Sequence, residues 1–452
     1  MRSNGFLLIH GFSVLSLVLS ALGHSLFLSA WSGVWVSSLN VTFAYLVLLL
    51  GCMARVGGNY LHPLCLFIYT AGLFVYGRFV FHCFGLTDLT EPNFLGVQII
   101  DEKVIEGVHD ILVLFALVAS IFISLIPSRY FSIKTTLRFD PLLYQLGVLF
   151  MLVGMLPTLN ILLVTLKTFL LVGYTGVFRG ELIVETPVLI KSLSLLFRLG
   201  FLLVLVSLPD KKRFLLPLII FTPFLVLNLL VGVRGYYLSF IIMLIFYYYT
   251  FILKGKRMSF KRLLLIGGGV VMVGDILASY RLGLPLFSAG LEFVYRFLYD
   301  QGTTVLTLIY AVEFEYELSP LLGLSNYFDL ILGKTELIQN MVDEKVSPGA
   351  NQKGFSLGGS IFQESYLIGG LLAIACLGAI VPFLVVFLPY YLPRSRFGVY
   401  LLVSILPYII FSPRARLLDF IAGNMLYAMF FLVVLLFIGI LRKPKGHKLG
   451  MV

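Results

Sequence analysis

Charge is what this sequence has least of. Asp, Glu, Lys and Arg make up 12% of its 452 residues, against about 25% in an average soluble domain. So few charges cannot coat a water-exposed surface, which excludes a soluble enzyme. Histidine is scarce too: His10, His24, His62, His82, His109 and His447 are all outside the longest polar stretch, 281–361. With no His, Cys and carboxylate residues at ligand spacing, neither a metal site nor a cofactor is expected. The cysteines, Cys52, Cys65, Cys83 and Cys376, all fall in apolar segments. They read as small lipid- or core-facing residues and not as disulfides. No GxxxxGKS/T loop is present, so no nucleotide drives transport in this chain, and nothing supports a serine-based triad. Pro- or Ser-rich linkers, low-complexity tracts and internal repeats are also missing. The missing repeat disfavours transporters built from symmetric halves.

Apolar residues are what the chain has in quantity, at 60% with a mean hydropathy of +1.01. They recur in runs of roughly 17–25, the length that crosses about 30 Å of hydrocarbon. Spans are expected at 6–28, 39–54, 62–84, 110–127, 141–166, 188–208, 214–231, 236–253, 263–280, 362–390, 398–412 and 418–441. The fold class is thus an all-α polytopic membrane protein of about twelve transmembrane helices. Arg2, an apolar run and Ala21-Leu22-Gly23 resemble a secretory signal, but an uncleaved first helix gives the consistent count.

The net charge of +11 has a topological explanation that needs no nucleic-acid partner. Arg2, Arg55, Arg129, Lys134, Arg138, Lys211 to Arg213, Lys254 to Arg262, Arg394, Arg396 and the Arg442 to Lys448 tail hold over half of the 33 basic residues. These clusters recur after every second span, as both termini in the cytoplasm require. Three regions follow: transmembrane helices 1–9 with short loops over 1–280, a large loop on the opposite face over 281–361, and helices 10–12 with a basic cytoplasmic tail over 362–452. Within the loop, Leu291 to Val312 reads as a helix, with Glu292, Arg296, Asp300, Thr304 and Thr307 at three- or four-residue spacing. It either lies in the membrane interface, apolar side down, or packs on the bundle.

Two groups of residues could carry chemistry. Arg179, Arg234, Arg281, Arg296, Arg414 and Arg416 sit on the non-cytoplasmic side against the positive-inside bias. Guanidinium forks there suit phosphate oxygens, and headgroup snorkelling or ion pairing is the plainer reading for any one of them. Arg234, in Gly232-Val233-Arg234-Gly235, and Arg414 and Arg416, after Pro413, are placed at helix starts, where backbone N–H groups favour an anion. The second group is Gly354 to Tyr366, where Glu364 enters a span. A carboxylate at that depth is costly unless paired or functional. It either accepts a proton from a sugar hydroxyl or pairs with an arginine and organises the site. Tyr295, Tyr299, Tyr236 and Tyr237 can pack on sugar rings or headgroups. Arg78, Lys191, Arg198 and Asp275, inside spans, point to buried pairing or a lipid path, with Asp275–Arg198 as one pair.

These motifs resemble those of Wzy-type O-antigen polymerases. Val231-Gly232-Val233-Arg234-Gly235 resembles their Gly-x-Arg turn before an apolar helix, and Tyr299-Asp300-Gln301-Gly302 their aromatic-x-Gln-Gly segment. Gly358-Gly359-Ser360, Glu364-Ser365-Tyr366 and Gly369-Gly370 are similar to their glycine-serine, Glu-x-Tyr, glycine sequence, although Gly359 stands where a second serine is expected. Ser412-Pro413-Arg414 resembles their late Pro-Arg. The matches run in order over 231–425; the first half of the chain matches only as a hydrophobic framework.

The resemblance implies a glycosyltransferase-C-like enzyme of the bacterial inner membrane. It would act on the periplasmic face on undecaprenyl-pyrophosphate-linked oligosaccharides, with the lipid bilayer and a chain-length regulator as partners. Arg234, Arg281, Arg414 and Arg416 would then bind pyrophosphate, and Arg296 a phosphate or its own helix. Glu364 would be the base, Gln301 would position a sugar hydroxyl, and Tyr295 and Tyr299 would contact sugar. A flippase or other transporter would need an alternating-access cavity, whereas the longest loop and the motifs gather on one side. An O-antigen ligase would be expected to use a histidine in its large periplasmic loop, and 281–361 has none.

Overall fold

The computed structural model describes residues 33–90, 100–179, 187–231, 234–282, 301–318 and 358–415, with shorter pieces at 295, 298–299, 342, 344–346, 428–429, 431–436 and 438. Among the described residues all regular structure is helical. Eight helices are long and apolar enough to cross a membrane: Val34–Arg55, Pro63–Cys83, Glu102–Leu125, Pro141–Leu171, Val188–Val206, Lys211–Leu230, Ile361–Arg394 and Arg396–Arg414. Each meets an expected span. The segments expected at 236–253 and 263–280 are also helical, the first as the shorter apolar helix Tyr237–Ile252. The spans 6–28 and most of 418–441 lie outside the described residues.

We number the helices α1 (Val34–Arg55), α2 (Pro63–Cys83), α3 (Glu102–Leu125), α4 (Pro141–Arg179), α5 (Val188–Val206), α6 (Lys211–Val231), α7 (Arg234–Tyr247), α8 (Phe260–Leu282), α9 (Thr304–Glu313), α10 (Ile361–Tyr391) and α11 (Arg396–Phe411). Local chemistry sets their starts. His62 Nδ1 accepts the Leu64 N–H at 3.2 Å ahead of Pro63, and Asp101 accepts the Lys103 N–H at 3.0 Å. Ser360 accepts from Phe362 at 3.2 Å and Ser395 from Gly398 at 3.0 Å. Each of these caps satisfies a donor that the helix itself leaves free.

The helices pack into two apolar cores. One joins α1, α2, α3, α9 and α10, and the other joins α4 to α7 with α11. Close backbone approach seals α4 on α5: a Cβ on Gly147 would sit 2.8 Å from the Gly200 carbonyl, and one on Gly154 would overlap the Phe197 backbone. Small residues make such contact possible where no hydrophobic drive separates helix from lipid.

The basic loops gather at one end of the bundle. Arg396 donates to the carbonyls of Val206, at 2.7 Å, and of Arg138, while Thr135 donates to Pro393 O at 2.9 Å. Arg55 donates to the carbonyls of Ser124 and Ile126. The opposite end carries Asp101, Glu102, Glu313, Glu315 and Glu317, with Lys103 and Lys345 among them.

Three features depart from simple spans. α2 contains a π-helical stretch, Gly72–Tyr76, a local distortion common at functional sites. The expected span at 362–390 is two helices: Gly369 (φ −156°, ψ 22°) and Gly370 (φ 57°, ψ −145°) break it. Phe362 meets Phe115 of α3 with ring centroids 4.8 Å apart, and a Cβ on Gly378 would lie 3.1 Å from the Phe115 carbonyl. A straight helix would hold 362 and 378 about 24 Å apart, so the chain bends back sharply, and 361–368 rises beside 371–391. Third, of the two readings of 291–312, interface or bundle, the interfacial one fails for the described part. Helix at 298–299 and 301 gives way to a turn at Gly302–Thr303, and Thr304 to Ala311 are buried on every face in the first core. Thr304 and Thr307, expected on the wet side, are wholly buried.

Candidate functional site

α11 belongs to the second core but ends against the first. Ser412–Arg414 forms a 3-10 turn that packs on α2, its π-helical stretch and α10. There the Arg414 guanidinium stands 5.5 Å from the centre of the Phe74 ring, and Phe74 is met edge-on by Phe411 at 5.7 Å. Arg414 Nη1 donates to Gln301 Oε1 at 2.6 Å. Two motifs more than a hundred residues apart in sequence thus touch at the seam of the cores. Phe74 lies about 16 Å along α2 from Pro63 by helical rise, so the contact is well inside the bundle. Arg414 closes the C-terminal end of α11, where a cation suits the negative dipole end; the start of the next expected span, at 418, lies outside the described residues.

The residues flanking Gln301 bear in turn on Arg78 of α2. Arg78 is 1% exposed. Its Nε and Nη2 each donate to Tyr299 O at 3.4 Å, and its Cζ lies 4.2 Å over the Tyr299 ring. A Cβ on Gly302 would come within 2.8 Å of Arg78 Cγ, so the glycine lets the chain pass. Tyr295 donates to Leu86 O at 2.7 Å and packs edge-on against Phe81 and obliquely against Tyr299. Burial, then Tyr299, pushes the Tyr295 phenol up, against a smaller lowering by Arg78. Both tyrosines are half-buried and already tie their segment to α2, which leaves only part of each ring open to a sugar.

Glu364 lies 3% exposed in the first turn of the half-helix that begins at Ser360, where its charge complements the positive dipole end. Beside it Gln363 is 1% exposed, and its amide has no hydrogen-bond partner among the described residues. Two residues on, the Tyr366 hydroxyl bonds Glu315 Oε2 at 2.6 Å. This anchors the Glu-x-Tyr motif to the turn after α9. Glu313, at the end of α9, has its carboxyl pushed up by burial, with Asp101 adding to the effect.

The other arginines are placed by backbone. α7 and α11 are packed neighbours and run antiparallel: Tyr247, ending α7, donates to Leu205 O at 2.6 Å, next to the Val206 carbonyl that Arg396 reaches from the start of α11. Arg234, the first residue of α7, is therefore at the Arg414 end of the pair. Arg281 lies in the last turn of α8, about 31 Å of helical rise from Phe260 and hence also at the far end from the basic loops. The side chains of Arg234 and Arg281, the Asp275 of the suggested Arg198 pair, and all of Arg296 and Arg416 lie outside the described residues. So do the glycine-serine positions 354–357.

With that geometry in hand, comparison with known proteins decides the family. The family model "O-antigen polysaccharide polymerase Wzy" matches residues 12–445. The chain belongs to this family. It is a multi-pass membrane protein of the O-antigen polymerases, which act on lipid-linked oligosaccharide repeat units. The match spans nearly the whole chain, including the first half, where the motifs alone give only a hydrophobic framework. No curated protein and no solved structure matches.

Sequence reasoning missed two parts of this site. Arg78 was visible as a charge within a span, but its partner, a backbone carbonyl and a ring 221 residues away, has no sequence signal. The Gly369–Gly370 reversal had one, a glycine pair at the middle of an apolar run, which ordinarily marks a break.

Proposed function

We propose that this polymerase joins undecaprenyl-pyrophosphate-linked O-antigen repeat units on the periplasmic face of the inner membrane. About twelve spans with both termini in the cytoplasm fit the gathering of basic residues at one end of the bundle. The observation that carries the reading is the Arg414–Gln301 contact at the seam, where the turn of Arg414 also packs on α10, the helix that carries Glu364. A hydroxyl of the acceptor sugar, placed by Gln301, attacks the anomeric carbon of the donor. The new C–O bond forms as the bond to pyrophosphate breaks, the hydroxyl proton passes to Glu364, and undecaprenyl pyrophosphate leaves. Its charge is taken up by Arg414 and Arg234, with Arg281, Arg296 and Arg416 completing the group; Tyr295 and Tyr299 offer their open faces to sugar. A glycosyl bond to pyrophosphate is already activated, so orientation and charge stabilisation are what the protein must add, and arginines can supply the charge without a metal.

A deletion strain tests the reaction class. Loss of a polymerase leaves lipid A–core capped by one repeat unit, whereas uncapped core would reject the assignment in favour of a flippase or ligase. Arg234→Ala and Arg414→Ala at normal protein levels are expected to abolish long chains. Wild-type ladders from both would sink the pyrophosphate role. Retained polymerisation in Glu364→Gln would remove it as an obligatory base.

A further inference from the structure

We propose that Arg78, in the second described span, is a positioning residue for glycosyl transfer: it fixes the turn that presents Gln301 to Arg414. The proposal rests on the reading of Gln301 and Arg414 as site residues. Three contacts carry it. The guanidinium grips the Tyr299 carbonyl through two nitrogens and lies flat enough over the Tyr299 ring to be 4.2 Å from its centre. Gly302, on the other side of Gln301, passes so close that an added Cβ would meet Arg78 Cγ at 2.8 Å. Gln301 is therefore bracketed: the residue two before it and the residue after it both bear on one arginine side chain. Its own Oε1 is 2.6 Å from Arg414.

The location explains why a fixed group is needed there. Gln301 ends the helical turn closed by the Gly302 N–H bond to Leu298 O at 2.9 Å, and a turn at Gly302–Thr303 separates it from α9, so α9 itself does not hold it. Arg78 springs from Gly77, immediately after the π-helical stretch Gly72–Tyr76, whose wider turn alters the direction in which the following side chains leave the helix. A guanidinium is a planar fork that can hold a carbonyl and stack on a ring at once. Lysine can stack its ammonium on the ring but offers no fork. Arg78 touches neither substrate nor reacting atoms in this arrangement; it acts through Gln301.

The experiment uses the full-length polymerase in nanodiscs, with lipid-linked repeat units as both donor and acceptor, and reads kcat, KM and thermal melting. Arg78→Ala is expected to lower kcat by about tenfold or more with KM changed less than about threefold, because a misplaced orienting group costs transition-state geometry and not binding. Arg78→Lys, which keeps a cation over the ring but loses the fork, recovers part of that loss. Gly302→Ala, one methyl pushed against Arg78, lowers kcat in the wild-type background. It adds less than about twofold in the Arg78→Ala background, since residues in contact are non-additive. The proposal is overturned by wild-type kcat in Arg78→Ala, by failure of Arg78→Lys to restore any of the loss, or by full additivity of the two changes. If Arg78→Ala does not fold, the Gly302→Ala variant alone and in Arg78→Lys carries the same test of coupling. Arg414→Ala separates the two readings: wild-type turnover there rejects the site itself, whereas a dead Arg414→Ala beside an unaffected Arg78→Ala rejects only this inference.

Discussion

Replacing Gly370 by alanine should destabilise the protein and slow polymerisation, although the added methyl has room. Nothing lies within 4 Å of a Cβ built on Gly370, so a steric argument predicts no effect. The backbone argues otherwise. At φ 57° and ψ −145°, Gly370 is in a region open to glycine and strained for any other residue, at roughly 1–3 kcal/mol. At about 1.4 kcal/mol per tenfold, that lowers the population of the bent form by roughly 5- to 150-fold relative to competitors. The bend is what sets 361–368, with Glu364, against α3 beside 371–391. Gly268→Ala in α8 is the matched control. It too has open space around its Cβ, but it lies within a helix, where alanine gains about 0.5–1 kcal/mol over glycine. Melting of the purified protein and the rate of chain extension would be measured on both. Gly268→Ala should melt slightly higher with wild-type turnover, and Gly370→Ala should melt lower and turn over more slowly. If the two alanines behaved alike in both assays, the reversal at 369–370 would be wrong.

Other predictions concern packing, charge and pH. Gly154→Ala places a methyl into the Phe197 backbone and should cost about 1–3 kcal/mol, seen as a lower melting temperature with kcat per folded molecule unchanged. Gln301→Glu keeps the bond to Arg414 and strengthens it by charge; it should retain or raise the melting temperature while abolishing polymerisation, and an active variant would count against Arg414 as an anion binder. Glu313 gives a pH test. Burial first, then Asp101, raises its carboxyl above the ordinary range, and its buried Oε2 has no hydrogen-bond partner among the described residues. The folded protein therefore favours the protonated form, a contribution present below the usual carboxylate pKa and lost as pH rises through the raised one. Glu313→Gln should melt with wild type below about pH 4 and above it at neutral pH; equal melting across the range would refute the assignment.

The membrane-spanning architecture was legible because its cause is local: long apolar runs and basic loops record the bilayer directly. Arg234 at the head of α7 also had a sequence signal, in its turn residues, and Arg414 and Gln301 each stood in a family motif, although nothing in the sequence paired them. What the sequence could not carry is depth. Arg414 follows Pro413, which reads as a helix start, and the described chain uses the same proline to end α11 in a tight turn deep in the bundle. Thr304 and Thr307 repeat at amphipathic spacing and looked wet, yet α9 is enclosed by α2, α3 and α10, so both hydroxyls are buried. Periodicity reports that one face differs from another. It does not report whether water, lipid or protein meets it.

The contacts seen on the two buried-end arginines share a chemical property that bears on function. Arg78 is seen on a carbonyl and a phenol ring, and Arg414 on an amide oxygen and a phenyl ring. Such partners orient a guanidinium and repay part of its desolvation. Glu315, Glu317 and Asp101, carboxylates at the same end, bond Tyr366, Lys345 and a helix start. The two guanidinium groups are thus fixed in direction as well as in place, which is what the proposed pyrophosphate role asks of them. They meet at the seam because α11 is built into one core and delivers Arg414 to the other.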